Sequence, residues 1–303
     1  MDWNIRTDLA IDNREIYRKA EHLEEEIPGI ITREEMISDD LKVTEVEIQT
    51  QEGEKALGKP IGKYYTIDAK YLALGIEESN NQIEETISEI LQKILELNEN
   101  DKVLVVGLGN EAVTPDSLGP KVISQIEVTS HLIQFAPEYV KEGTRWVSAI
   151  VPGVLGTTGI ETGEMIKAII EKIMPDKIIV IDALAAKDMK RIKSTIQISD
   201  TGIIPGAGVG NNRKRLNQET LGVPVIAIGV PTVVDAKTIV RDALDKFMEK
   251  ERREEKLNDG YIQLLQEKFP EIEINSIVTP TEIDEIVTNV STIIANAINT
   301  TLN

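Results

Sequence analysis

Four short runs of apolar residues constrain the fold of this chain more than any other feature. The runs are residues 102–107 (KVLVVG), 146–151 (WVSAIV), 178–181 (IIVI) and 225–228 (VIAI). Runs of this length are typical of strands that are buried on both faces of a sheet. Residues 163–174, between two of the runs, have helical periodicity. This βαβ alternation predicts an α/β fold, with a three-layer, mainly parallel sheet that is flanked by helices and joined by right-handed crossovers.

The first third of the chain carries more charge and a different pattern. Residues 43–48 (VTEVEI) alternate apolar and polar side chains, and residues 64–67 (YYTI) form another short stretch. Alternation with a period of two predicts half-exposed strands. We therefore expect a smaller β-containing lobe near residues 30–75, flanking a single α/β domain that spans residues 9–303.

Helical patterns occur in four more segments, at residues 83–97, 236–250, 258–269 and 280–298. In residues 83–97 the isoleucines recur every three to four positions, which places them on one face that is expected to pack in the core. Residues 279–282 (TPTE) supply a helix start for the last segment.

Composition removes several catalytic mechanisms. The 303 residues include no cysteine, which excludes disulfides, thiolate metal sites and cysteine nucleophiles. The histidines are His22 and His131, and neither has a second histidine or a close pair of carboxylates at metal-ligand spacing. With two histidines in the chain, there are few candidates for the histidine of a Ser-His-Asp triad. We expect neither a metal nor another cofactor.

Charge and hydropathy limit the partners. The formal net charge of -19 repels phosphate backbones and anionic membranes. No run of about 18 uncharged apolar residues is present, and residues 1–10 lack the basic start and apolar stretch of a secretory signal. We expect a cytoplasmic protein that binds neither nucleic acid nor membrane.

Two aspartates follow predicted buried strands. Asp116 lies in residues 107–120 (GLGNEAVTPDSLGP), a loop marked by glycine and proline, and Asp182 ends the run IIVID. Ligands of open α/β sheets bind at the carboxyl ends of the strands. If the two strands are neighbours, the carboxyl groups can share a proton, one acting as acid while the other activates water. The alternative is that Asp116 caps a helix beginning near Ser117 and Asp182 caps the next turn.

Three other motifs have weaker functional interpretations. Gly107-x-Gly109-x-x-Ala112 imitates a dinucleotide fingerprint, but Pro115 interrupts the expected helix, and no acidic residue ends a second strand about twenty positions later. Residues 206–210 (GAGVG) precede basic side chains and favour a mobile active-site loop. The triplet 200–202 (DTG) also occurs in pepsin-like proteases, which are β folds, so we interpret it as a turn with Asp200 as a reserve candidate.

Eight motifs, in order along nearly the whole chain, resemble the germination protease family. They are residues 6–10 (RTDLA), 105–110 (VVGLGN), 114–120 (TPDSLGP), 152–156 (PGVLG), 158–162 (TGIET), 181–186 (IDALAA), 197–203 (QISDTGI) and 228–235 (IGVPTVVD). The resemblance implies an endopeptidase whose core is similar to hydrogenase maturation peptidases. It also implies a zymogen made in the forespore, a homotetramer, and small acid-soluble spore proteins as substrates in the spore core. By similarity, the catalytic aspartates are Asp116 and Asp182.

The resemblance also implies self-processing. Family members cut beside an acidic residue that is followed by an aliphatic residue and alanine, within a motif closed by another acid. Residues 7–12 (TDLAID) fit that pattern, so we expect cleavage between Asp8 and Leu9 and a propeptide of residues 1–8. The alternative is an ordinary helix start at Asp8 or Asp12.

Charge complementarity gives candidates for binding an acidic substrate. Arg213, Lys214 and Arg215 follow the glycine-rich loop, and charge-assisted hydrogen bonds favour pairs between such cations and carboxylates. The rival function is a non-catalytic nucleotide-binding or sensor module that uses residues 107–112. A third interpretation is a structural spore protein without activity.

Overall fold

The computed structural model describes residues 6–207, 213–236, 238–240, 243 and 276–303. Among these residues the strands are β1 (Ile30–Ser38), β2 (Leu41–Ile48), β3 (Gly62–Ala69), β4 (Lys102–Gly107), β5 (Trp146–Ile150), β6 (Lys177–Ala186), β7 (Thr195–Ser199), β8 (Val225–Asp235) and β9 (Ile277–Val278). The α-helices are α1 (Ala10–Ala20), α2 (Gln51–Leu57), α3 (Glu77–Leu95), α4 (Leu118–Ile123), α5 (Ser130–Phe135), α6 (Leu155–Thr158), α7 (Thr162–Ile173), α8 (Met189–Ile192), α9 (Gln218–Leu221) and α10 (Ile283–Leu302).

The strands form one sheet in the order β1-β2-β3-β7-β8-β6-β4-β5, and β9 pairs with β8. β5, β4, β6 and β8 run parallel to one another. These are the four apolar runs from which the sequence predicts parallel strands, and the α/β prediction is confirmed. From β8 outward the sheet continues through β7, β3, β2 and β1, all paired antiparallel.

Residues 30–75, for which the sequence predicts a flanking lobe, contain β1, β2 and β3. These strands join the main sheet through β3, whose Tyr64 pairs with Ser199 of β7. Buried and partly exposed side chains alternate along much of β2, as expected for a strand with one face on the core.

Three hydrophobic clusters show that helices cover both faces of the sheet. Successive side chains of a strand point to opposite faces. Val103 and Val105 of β4 therefore pack in one cluster with α3 and α10, whereas Leu104 and Val106 pack in another with α7. A third cluster joins α1 and α2 to β2, β3 and the end of β6. Each fully buried aliphatic side chain contributes about 1.5–3 kcal/mol.

The predicted helices within the described residues are confirmed, with differences at their ends. The helix predicted to start at residue 280 begins instead at Ile283, because the Thr279 hydroxyl donates to the carbonyl oxygen of Thr232 (2.8 Å) and so anchors the preceding segment to β8. The predicted helix at residues 258–269 lies outside the described residues, and the one at 236–250 is described only in part. No helix in the described part of the chain has the length and apolar character required to cross a membrane.

Candidate active site

Asp182 lies inside β6, at the carboxyl end of the parallel strands. Its side chain lies on the same face as those of Ile178 and Val180, because the three residues occupy alternate positions of the strand. It is 5% exposed, its backbone pairs with Gly229 of β8, and its Oδ1 accepts a hydrogen bond from the Ala183 amide (3.0 Å). Asp182 therefore does not cap a helix, contrary to the alternative interpretation of its sequence position.

Asp116 ends a short 3-10 helix, Thr114–Asp116, in the loop after β4. Its Oδ2 accepts a hydrogen bond from the Asn110 amide (2.8 Å), so the loop folds back on itself. The residue that precedes α4 is Ser117, and no side chain caps that helix. Asp116 is therefore held by the loop and does not cap α4.

The two aspartates meet in one cavity of about 400 Å³. The Leu108 amide donates to the carbonyl oxygen of Ile181 (2.8 Å), which ties the loop after β4 to the strand that carries Asp182. Asp8, from the N-terminal segment, lines the same cavity. The shared cavity and the effect of the Asp116 charge on Asp182 support the hypothesis that the two carboxyl groups lie near each other, which stays a prediction.

The surroundings raise the pKa of both carboxyl groups, but to different extents. Burial raises the pKa of Asp116 above its usual 3.8, whereas the Asn110 amide and the Arg213 charge oppose the increase. Burial raises the pKa of Asp182 well above 3.8, and the negative charges of Asp116 and Asp8 raise it further. Of the two carboxyl groups, Asp182 therefore keeps its proton to higher pH, and Asp116 ionises more easily and is better suited to act as a base.

The three candidate cations lie on different surfaces. Arg213 lines the aspartate cavity, and Arg215 lines a second cavity of about 230 Å³. Lys214 is exposed and forms an ion pair with Glu164 (3.4 Å).

The N-terminal segment lies against β6. The Asp8 amide donates to the Ala185 carbonyl oxygen (2.8 Å), and Asp8 Oδ2 accepts a hydrogen bond from the Ala185 amide (2.9 Å). Gln197 Nε2 donates to the Asp8 carbonyl oxygen (3.3 Å). Leu9 is 0% exposed and immediately precedes α1, so the predicted cleavage bond is also next to a helix start.

Close packing explains two glycines of the dinucleotide-like loop. A Cβ atom on Gly107 would lie 2.4 Å from the Gly119 carbonyl oxygen, and one on Gly119 would lie 2.2 Å from that of Leu108. The glycines thus allow α4 to approach β4 closely. The Asn110 amide, which a phosphate would need, already donates to Asp116.

The remaining candidates lie elsewhere. Asp200 is in the bend after β7, where its Oδ1 accepts a hydrogen bond from the Lys63 amide (2.8 Å). His131 is in α5 and His22 follows α1, and neither lines the two cavities described above. Within the described residues, no three His, Asp or Glu side chains converge as a metal site would require.

Sequence reasoning missed Lys59, which lines the second cavity together with Asp8 and Arg215. Lys59 follows Gly58, the left-handed residue that ends α2, and only long-range contacts bring it near the site. Gln197 lies in one of the eight motifs, but nothing in the sequence indicates its hydrogen bond to Asp8.

Comparison with known proteins gives the family. The model of the germination protease family matches residues 8–261. The chain belongs to the germination protease family. A germination protease of Clostridium perfringens is 46% identical over 312 residues, covering 99% of this chain and 95% of that protein. One from Caldanaerobacter subterraneus is 45% identical, covering 98% of this chain and 94% of its own length.

Two further comparisons are less extensive. The germination protease of Priestia megaterium is 45% identical over 264 residues, covering 84% of this chain and 70% of that protein. The solved structure of the NiFe-hydrogenase maturation protease HycI from Thermococcus kodakarensis overlaps 47% of this chain and 80% of its own, with 18% identity and a TM-score of 0.30. Membership of the germination protease family supports a protease function in spore germination.

Proposed function

We propose that this germination protease is an aspartate-dependent endopeptidase that processes itself and then degrades small acid-soluble spore proteins. One observation carries the proposal: Asp116 and Asp182 line one cavity with Asp8, the acidic residue of the expected processing site. The three residues come from distant parts of the chain, so the coincidence is not a consequence of sequence proximity.

The chemistry is general acid/base hydrolysis without a covalent intermediate. Asp116 accepts a proton from the attacking water as its oxygen bonds to the scissile carbonyl carbon. Asp182 donates its proton to the carbonyl oxygen, which gives a tetrahedral diol. As the C–N bond then breaks, Asp116 gives its proton to the leaving amine and Asp182 takes a proton back from one hydroxyl group, so both carboxyl groups return to their starting states. The assignment follows from the deeper burial and the neighbouring negative charges of Asp182.

Arg213 supplies positive charge at the same cavity. Its charge opposes the pKa increase of both aspartates. A fixed cation stabilises the negative charge that develops on the carbonyl oxygen in the transition state. The loop amides are less suited to this task, because Leu108 donates to Ile181 and Asn110 donates to Asp116.

Self-processing at Asp8–Leu9 would release residues 1–8. The Ala185 amide donates to Asp8 Oδ2 and Gln197 Nε2 donates to the Asp8 carbonyl oxygen, and these bonds hold Asp8 beside the aspartate cavity. The Arg6 guanidinium contacts Asp235 (3.4 Å), which adds an ion pair between the released segment and β8. The expected propeptide therefore contacts the protein at Arg6 and at Asp8, both on the amino side of the scissile bond.

Charge and surface composition support the remaining parts of the proposal. A strongly acidic chain avoids the DNA on which its substrates lie in the spore core. Phe135 and Tyr139 are 78% and 82% exposed and lie close together in sequence at the end of α5 and just beyond it. Exposed aromatic side chains of this kind suit subunit contacts, whereas the homotetramer itself is what the family resemblance implies.

The decisive experiment compares wild type with Asp116→Asn and Asp182→Asn on a small acid-soluble spore protein. We expect each variant to lose about 10²–10⁴-fold in kcat, as for loss of a general acid or base, and to keep residues 1–8. Mass spectrometry identifies the cut sites, circular dichroism checks folding, and light scattering gives the oligomeric state.

The matched control is Asp200→Asn, because Asp200 is also a partly buried carboxyl group whose pKa burial raises. We expect this variant to cut after acidic residues like wild type. Unchanged cleavage by both folded site variants would refute the proposed aspartate mechanism. Tight dinucleotide binding in calorimetry without any proteolysis would instead favour the nucleotide-binding module.

A further inference from the structure

A second cavity lies next to the aspartate cavity and carries the opposite charge. Its charged lining residues are Arg6, Asp8, Lys59 and Arg215. Three cations thus line one cavity with a single carboxylate, in a chain whose net charge is -19. Asp8 lines both cavities, so its side chain marks the point where they join.

Lys59 and Arg215 are close enough to repel each other. Burial lowers the pKa of Lys59, the Arg215 charge lowers it further, and the Asp8 charge opposes both effects. Two cations on one partly buried surface are unfavourable unless a carboxylate lies between them. In this structure Asp8 is the carboxylate of the same cavity whose charge offsets that of Arg215 at Lys59.

The surrounding hydrogen bonds fix the wall on which Lys59 lies. The Tyr64 hydroxyl donates to the Pro60 carbonyl oxygen (2.9 Å) and accepts a hydrogen bond from Thr201 (3.0 Å). The segment that contains Lys59 is thereby tied to β3 and to the bend after β7. A rigid wall of this kind favours one position of a bound carboxylate over others.

Asp8 is held as a substrate residue would be. Its backbone amide and its Oδ2 both bond to Ala185, so the segment pairs with the end of β6 while the carboxylate remains at the cavity junction. The peptide bond that follows Asp8 is the one expected to be cut.

We propose that Lys59, together with Arg215, forms the specificity site that binds the acidic side chain on the amino side of the scissile bond. Asp8 occupies this site in the present structure as an internal copy of the substrate. The inference rests on the proposed peptidase function and adds to it a residue, Lys59, that determines which peptide bonds are cut.

The first test measures kcat/KM on two peptides, one with the sequence of residues 4–14 and one with Asn in place of Asp8. A charged hydrogen bond contributes enough to give wild type about a 10- to 100-fold preference for the Asp peptide. We expect Lys59→Met to reduce this preference at least about tenfold, mainly through KM. Lys59→Arg should restore part of the preference.

The matched control is Lys55→Met, which removes an exposed lysine at the end of α2 that lies outside both cavities. Its Asp-to-Asn preference should equal that of wild type. A purely structural Lys59 would change stability or expression and leave the preference intact, so an unchanged preference in folded Lys59→Met overturns the inference.

The second test separates failure of the inference from failure of the proposed function. Binding of the fluorescein-labelled Asp peptide to the full Asp182→Asn chain is measured by anisotropy, without any cleavage. Asp8→Asn should strengthen binding because it removes the internal competitor, and Lys59→Met should weaken it at least about tenfold. If wild type cuts neither peptide, the peptidase proposal fails, and equal binding with and without Lys59 overturns the specificity site.

Discussion

Asp182 shows how a single residue acquires a chemical role from its surroundings. The side chain is buried on β6, the strand between β4 and β8, and it is subject to the negative charges of Asp116 and Asp8. Both effects favour the neutral acid. Asp116 is less buried and accepts a hydrogen bond from the Asn110 amide, which favours its charged form. The two aspartates thus have the different protonation preferences that the proposed acid and base require.

The pH dependence of cleavage follows from these pKa shifts. Activity should fall at low pH as Asp116 becomes protonated, and at high pH as pH rises through the raised pKa of Asp182. Arg213→Met removes a charge that favours both carboxylates, so both limbs of the kcat/KM profile should move to higher pH. Lys55→Met should leave both limbs in place. A profile unchanged by Arg213→Met would contradict the assigned electrostatic contact.

At the scale of elements, the loop between β4 and α4 positions Asp116. Gly109 has a φ of 109°, a value that side chains with a Cβ atom rarely adopt. A Cβ atom there would lie 2.0 Å from the Asp116 carbonyl oxygen. The glycine is therefore required by the close approach of the two loop segments.

Gly109→Ala should displace Asp116 while the rest of the sheet stays folded. The strained backbone is expected to cost about 1–3 kcal/mol of stability, and a displacement of about 1 Å at a catalytic group lowers kcat by about 100-fold. Thermal denaturation and peptide cleavage measure the two effects. Gly156→Ala is the control, because a Cβ atom at that position would meet no neighbouring atom within 4 Å. Wild-type kcat in folded Gly109→Ala would show that this loop does not position the base.

At the scale of the whole molecule, β7 connects the parallel and antiparallel parts of the sheet. It pairs with β8 on one side and with β3 on the other. The third hydrophobic cluster also crosses this boundary, because it contains Val46 and Ile48 of β2 with Leu184 of β6. The two parts of the sheet are therefore expected to unfold together.

Ile48→Ala tests whether the antiparallel part of the sheet, which contains Ile48, unfolds together with the parallel part. Ile48 is 1% exposed, and its truncation should cost about 2–5 kcal/mol. Trp146 in β5, at the far edge, reports unfolding by fluorescence when Trp3 is replaced by Phe. We expect the Trp146 transition and the circular dichroism transition to shift together to lower denaturant concentration. A Trp146 transition that does not move would mean that the two parts unfold separately.

The sequence by itself determined the α/β class, the four parallel strands, the loop position of Asp116 after β4 and the position of Asp182 after the apolar run 178–181, although β6 continues past Asp182 to Ala186. These features depend on local periodicity and on the general rule that ligands bind at the carboxyl ends of parallel strands. The motifs also determined the family, and the comparisons confirmed it. The role of the two aspartates remains a prediction that the geometry supports.

Only the tertiary structure decided which distant residues meet. The pairing of β3 with β7, the division of Arg213 and Arg215 between two cavities, and the approach of Lys59 to Asp8 all depend on contacts between segments far apart in sequence. Protonation depends on the same contacts, because burial and neighbouring charge exist only after folding. Periodicity describes the faces of each element, whereas the site is formed where those elements converge.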